Sequence, residues 1–169
     1  MKNNSRKTAY MGLFIALALI LAYVEVLLPP LFPSLPGIKM GLPNIIIIFL
    51  LYRSGPRSAI TVSLMRIFLV TMLFGNAKAF LYSLAGGVLS ILVMILLRRL
   101  NILSTVGVSV AGGVTHNVGQ ILMAMLLLET AELGYYLAVL TITGIVAGLF
   151  IGLCGSVLIR KIPKKFDIF

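Results

Sequence analysis

Arg66 stands inside an apolar run, eight residues from either end of the stretch Ser58–Phe74. On a helix that places it about 12 Å from each end, at a rise of about 1.5 Å per residue. A cation so deep in an apolar helix costs about 3 kcal/mol on insertion scales, so it needs a partner. Two arrangements supply one. Glu25 can pair with it permanently, or Arg66 can face a water-accessible cavity and meet an anionic ligand. His116, Asn117 and Gln120 lie in another apolar run with Ser109 and Gly113. Their spacings of three and four put them on one side of a helix. An imidazole and two amides beside glycines make a recess with directional donors and acceptors. The same groups serve equally as hydrogen bonds between helices, each worth about 0.6 kcal/mol. His116 alone, with no clustered carboxylate or thiolate, does not make a metal site.

The elements that position these residues follow from composition. Of the 169 residues, 60% are hydrophobic, and the mean hydropathy is +1.14. A soluble domain must keep a largely polar surface and cannot hide so much apolar side chain. Lipid accepts apolar surface on every side. A spanning helix needs roughly 20 apolar residues. Runs at about Ala9–Leu28, Met40–Tyr52, Ser58–Phe74, Ala79–Leu97, Thr105–Leu128 and Tyr135–Ile159 are read as six helices. The second is short and is led by Gly41 and Pro43. The first is longer than a signal-peptide core and lacks a convincing cleavage site, so it reads as a retained helix. The expected fold is an all-α, polytopic bundle of six transmembrane helices, one domain over residues 1–169.

Charge sets its orientation. Lys2, Arg6, Lys7, Arg53, Arg57, Arg98, Arg99, Arg160, Lys161, Lys164 and Lys165 fall on one side of such a bundle. The other side has Lys39 and Lys78, with Glu129 and Glu132. Basic residues favour the cytoplasmic side, so both chain ends, about 1–8 and 160–169, are expected there: N-in and C-in, in a prokaryotic cytoplasmic membrane. The net charge of +10 is therefore read as topology and not as a nucleic-acid footprint.

The far side resembles a mouth. Residues 28–41 read LPPLFPSLPGIKMG, whose prolines stop helix formation, so part of this segment is expected to dip into the bundle as a cap. The other loop there, FGNAKAFLYS, offers Asn76, Lys78 and Tyr82. Lys39, Lys78 and Arg66 would suit an anionic solute arriving from outside. Small residues mark close helix contacts: Gly144, Gly148, Gly152 and Ser156 on helix six, and Ala79, Ser83 and Gly87 on helix four. Helix one carries Gly12 and Ala16, then Ala18 and Ala22, a groove that could face another subunit. Cys154 is the single cysteine and reads as a small packed side chain.

Several activities are excluded as expectations. No Gly-rich loop ends in Lys-Ser or Lys-Thr, so the chain does not hydrolyse ATP itself. Its four acidic residues include one aspartate, Asp167, too few carboxylates for magnesium-dependent diphosphate chemistry. No nucleophile, base and orienting acid lie in credible proximity. The chain is expected not to be an enzyme and to carry no cofactor.

Three stretches carry a family resemblance: LPGIKMGLPNI, LYSLAGGVLSILVMILLRR and VGVSVAGGVTHNVGQIL. Across about residues 7–160 the chain resembles the heptaprenyl diphosphate synthase component I family, also called the Gx transporter family. That family in turn resembles the S components of energy-coupling-factor transporters. S components are six-helix proteins that capture vitamins outside the cell and work with a transmembrane coupling subunit and cytoplasmic ATPases. The resemblance implies an S-component-like fold, and the polar residues singled out above are then the expected substrate site: Arg66, His116, Asn117 and Gln120, with Lys39, Asn76, Lys78 and Tyr82 at its mouth. It implies a flavin or a quinone- or isoprenoid-related precursor as ligand, and Ala18 and Ala22 as the contact with the coupling subunit. The alternative it leaves open is a non-catalytic accessory or scaffold subunit of a membrane redox or prenyl-diphosphate complex. The aspartate-rich motif of a prenyl-diphosphate synthase is missing from the sequence.

Overall fold

The computed structural model describes residues 2–27 and 41–162. Six α-helices follow one another: α1 (Lys2–Leu27), α2 (Asn44–Arg53), α3 (Pro56–Phe74), α4 (Ala77–Leu100), α5 (Thr105–Leu128) and α6 (Leu137–Lys161). A 3-10 turn, Ala131–Tyr136, leads into α6. Five helical stretches are long and apolar enough to cross a membrane. The chain is a multi-pass membrane protein, and its outward faces carry large apolar side chains such as Leu13, Ile20, Leu92, Leu126 and Val146, as a lipid solvent requires.

Among the described helices α2 is the exception, too short to span by itself. The run Met40–Tyr52 becomes a helix of only ten residues. At about 1.5 Å per residue it covers roughly 15 Å, half of a hydrocarbon core of about 30 Å. Its limits are local. Gly41 takes a φ of +73°, and Pro43 stands at the N-cap. At the other end Gly55 turns the chain at φ +92°, a conformation that glycine adopts without a Cβ penalty, and Pro56 starts α3. Ile46 to Leu51 are all buried, so α2 is the centre of the bundle on all sides.

Side-chain contacts show which helix ends lie together. Arg53 Nη2 donates to the Ile162 carbonyl at 2.8 Å, and the Arg98 guanidinium lies 5.3 Å from the centre of the Tyr52 ring. These bring α2, α4 and α6 together at a basic end. Tyr23 and Phe74 rings meet at 5.5 Å, joining α1 and α3 at the far end. Reporter fusions after Arg57, Arg99 and Lys161 are expected to read out in the cytoplasm, and fusions after Lys78 and Glu132 outside it. A reporter on the wrong side at any of these positions breaks the N-in, C-in assignment.

Glycines set the tightest contacts. A Cβ on Gly148 would stand 2.6 Å from Val110 Cα, and one on Gly152 would stand 2.8 Å from Val106 Cα. The helix-six stripe therefore packs against α5 within this chain. Gly86 and Gly119 do the same between α4 and α5, where Ser90 Oγ also donates to the Gly112 carbonyl at 2.8 Å. Ala18 and Ala22 are 0% and 5% exposed, packed inward. Gly12 and Ala16, on the same helix, are exposed, and a Cβ on Gly12 meets nothing within 4 Å.

Candidate functional site: a polar cavity above a half-length helix

At the N-terminal end of α2 the surrounding helices line an open cavity of about 80 Å³. Each long helix contributes: Glu25 on α1, Arg66 and Thr71 on α3, Ser83 on α4, His116, Asn117 and Gln120 on α5, and Ala147 on α6. Asn44, the first residue of α2, closes the bottom. The cavity is thus a polar pocket inside an apolar bundle.

Arg66 lies ten residues into α3 and eight from its end, so it sits about 12 Å below the far end of that helix. Its Nε is buried and has no hydrogen-bond partner among the described residues. A guanidinium N–H left without an acceptor costs about 1–3 kcal/mol or more, so the site has unspent hydrogen-bonding capacity. Glu25 lines the same cavity and is near enough to attract Arg66. Its Oε1 accepts the Gly41 backbone N–H, which ties α1 to the turn that starts α2. The first N–H groups of α2 are satisfied by that turn: Asn44 N–H meets the Gly41 carbonyl at 2.8 Å, and Ile45 N–H meets that of Leu42 at 3.1 Å. The N-terminus of α2 therefore supplies a positive dipole end to the cavity floor, equivalent to about half a charge, more than it supplies free donors.

On α5, close approach to Gly86 positions the polar face. A Cβ at Gly86 would lie 2.7 Å from the His116 carbonyl and 2.8 Å from Gln120 Cγ. The His116 ring lies against Gly86, its Cε1 3.2 Å from where a Cβ there would stand. Asn117 Nδ2 donates to the Leu140 carbonyl at 2.7 Å and reaches Thr143 Oγ1 at 3.4 Å. Asn117 thus lines the cavity while its amide donors join α5 to α6. Asn117→Ala is expected to lower thermal stability by about 0.6 kcal/mol, the mean for a hydrogen bond between membrane helices. A melting curve of the purified variant checks this, and an unchanged melting temperature contradicts the joining role.

The four central residues expected from sequence, Arg66, His116, Asn117 and Gln120, are brought together. The mouth residues are not. Asn76 is the N-cap of α4, its Oδ1 accepting the Ala79 N–H at 2.9 Å, and it is exposed, as is Lys78. Tyr82 is half-buried on α4 and does not line the cavity. These three cap and flank the far end, outside the described lining of the cavity. Lys39 and the expected cap segment, residues 28–40, lie outside the described residues. Asn44, Thr71 and Ser83 were not foreseen in the lining. Asn44 carried the one usable signal, as a polar residue opening a buried apolar run. Among the described residues no three His, Cys, Asp or Glu side chains gather where they could hold a metal ion.

Five long helices and a buried short one, with a polar cavity in one half, define a multi-pass membrane protein with an internal polar pocket. The chain belongs to the heptaprenyl diphosphate synthase component I family, whose model matches residues 14–158. Comparison with curated proteins and with solved structures returns no match.

Proposed function

We propose that this chain is the non-catalytic, membrane-embedded solute-binding subunit of an energy-coupling-factor-type transporter, and that its cavity takes a small anionic solute. The observation that carries the reading is Arg66: a cation deep in the bundle, on a cavity wall, with its Nε–H unpartnered among the described residues. The α2 dipole adds to the attraction, and His116 and Gln120 offer orienting hydrogen bonds. The cavity size narrows the ligand. At about 80 Å³ it is smaller than the cavity of about 150 Å³ that takes a benzene ring. A compact solute, or a compact end of a larger one reaching in from the open side, fits a cavity of that size.

The exposed small pair Gly12 and Ala16 on α1 is the better candidate contact for a coupling subunit, since small residues let two backbones approach. Co-expression with coupling and ATPase subunits tests both parts. The chain is expected to co-purify with them, and Ala16→Leu to lose the association while remaining folded. Ala18→Leu is expected to destabilise the chain itself, because Ala18 has no exposed surface. Failure of the unmodified chain to associate with any such subunits removes the transporter reading.

The family description favours a second reading, an accessory subunit of a prenyl-diphosphate synthase complex. That reading expects co-purification with a soluble prenyltransferase and no dependence on Arg66.

A further inference from the structure

The two ends of the bundle differ in charge. Arg57, Arg98, Arg99, Arg160 and Lys161 stand at the end where α2, α4 and α6 meet. Of the chain's four acidic residues, Glu25, Glu129 and Glu132 belong to the opposite end, and Asp167 lies outside the described residues. A single carboxylate cannot neutralise this cluster, and its sequence neighbours Lys164 and Lys165 add to the positive charge. The helix dipoles leave most of it unbalanced. Arg98, Arg99, Arg160 and Lys161 occupy the last turns of α4 and α6, where each dipole offers about half a negative charge. Arg57 occupies the first turn of α3, where the dipole disfavours a cation.

Two of these arginines share faces with lipid-exposed side chains. Arg99 follows Leu92 and Leu96 at spacings of seven and three, so all three lie on one face of α4. Leu92 and Leu96 are 56% and 55% exposed. Arg160 stands in the same relation to Leu153 and Val157 of α6, which are 57% and 50% exposed. Both arginines are themselves exposed. A long side chain at such a place lays its stem on apolar surface and carries its charged head to the membrane interface. A water-soluble partner would approach the end of the bundle, whereas these sides of α4 and α6 meet lipid, and a lipid brings a phosphate to the depth of the guanidinium. The planar guanidinium binds phosphate through two parallel N–H groups.

We propose that the basic end of the bundle is a binding site for anionic phospholipid. Arg99 and Arg160 grip headgroup phosphates, and the apolar faces that lead to them take the acyl chains. The site is separate from the cavity and does not depend on what the cavity holds.

The test is native mass spectrometry of the full chain in a neutral detergent, with phosphatidylglycerol and phosphatidylcholine of matched acyl chains at equal concentration. Phosphatidylglycerol adducts are expected to exceed those of phosphatidylcholine at least about fivefold. Arg99→Gln and Arg160→Gln are each expected to weaken phosphatidylglycerol binding about fivefold, the equivalent of about 1 kcal/mol for one basic residue at an anionic surface. Phosphatidylcholine binding should stay as it was, and Lys78→Gln, at the far end, should change neither. Equal binding of the two lipids by the unmodified chain overturns the proposal, and that comparison needs no variant. So does a double Arg99→Gln, Arg160→Gln chain that keeps the full preference, or an equal loss in Lys78→Gln. Displacement of phosphatidylglycerol by the same concentration of inorganic phosphate makes this a site for free phosphate and overturns the lipid assignment. A double variant that keeps its lipid preference but no longer co-purifies with a soluble ATPase or prenyltransferase subunit assigns the arginines to a protein partner, which overturns it as well.

Discussion

Arg66→Gln protein is expected to insert and fold, and to lose roughly 2–5 kcal/mol of anion binding, the range for removing one member of a desolvated charge pair. Glutamine retains much of the length and some hydrogen bonding but none of the charge. The physical ground is the state of the arginine: it lines the cavity, and its buried Nε lacks a partner among the described residues. If Arg66 served only to neutralise Glu25, the loss would appear as reduced stability, and Glu25→Gln would reproduce it by leaving the other charge buried. Melting temperature and affinity for a small carboxylate, measured on both variants, separate these cases. Unchanged affinity in a folded Arg66→Gln protein removes the role assigned to this residue.

Gly148→Leu is expected to be the most damaging single change in the helix contacts. Its Cβ would stand 2.6 Å from Val110 Cα and 2.9 Å from the Ser109 carbonyl oxygen. Both are backbone atoms, so no rotamer change relieves the clash, and α5 and α6 must separate. Overpacking a core costs about 1–3 kcal/mol and more where backbone must move, so a loss of roughly 3 kcal/mol or more is expected. The separation would also open the wall that Asn117 seals through the Leu140 carbonyl. Gly12→Leu is the control, with open space around it and no expected loss. Thermal unfolding of the two variants in one detergent provides the comparison, and equal melting temperatures contradict the packing.

Polar residues in apolar runs were the legible part of the site. Arg66, His116 and Gln120 stand out because lipid makes each of them costly, and that cost drives them to one interior place. The helix breaks were legible for a related reason. Arg98 and Arg99 close α4, and the expected limits of α5, Thr105 and Leu128, are those observed. The length of α2 was less legible. Leu42 and Pro43 extend the apolar run but belong to the turn, so hydropathy alone counts more residues than the helix uses. Asn76 shows another limit: a polar residue beside a helix start reads equally as a ligand contact or a cap, and here it caps. Ala18 and Ala22 share a face by spacing, but spacing does not say which neighbour that face meets. Their burial in the same chain does. Thr71 and Ser83 are of types that occur throughout membrane helices, so nothing in their identity marks them before the helices are assembled.

The central claim, that the cavity above α2 binds a small anion through Arg66, is tested most directly by native mass spectrometry of gently purified protein. The unmodified chain is expected to carry a small-molecule adduct of defined mass that is missing from Arg66→Gln purified in the same way. An adduct of the same mass and occupancy on Arg66→Gln, or a bare unmodified chain that gains none after incubation with small carboxylates, would contradict it.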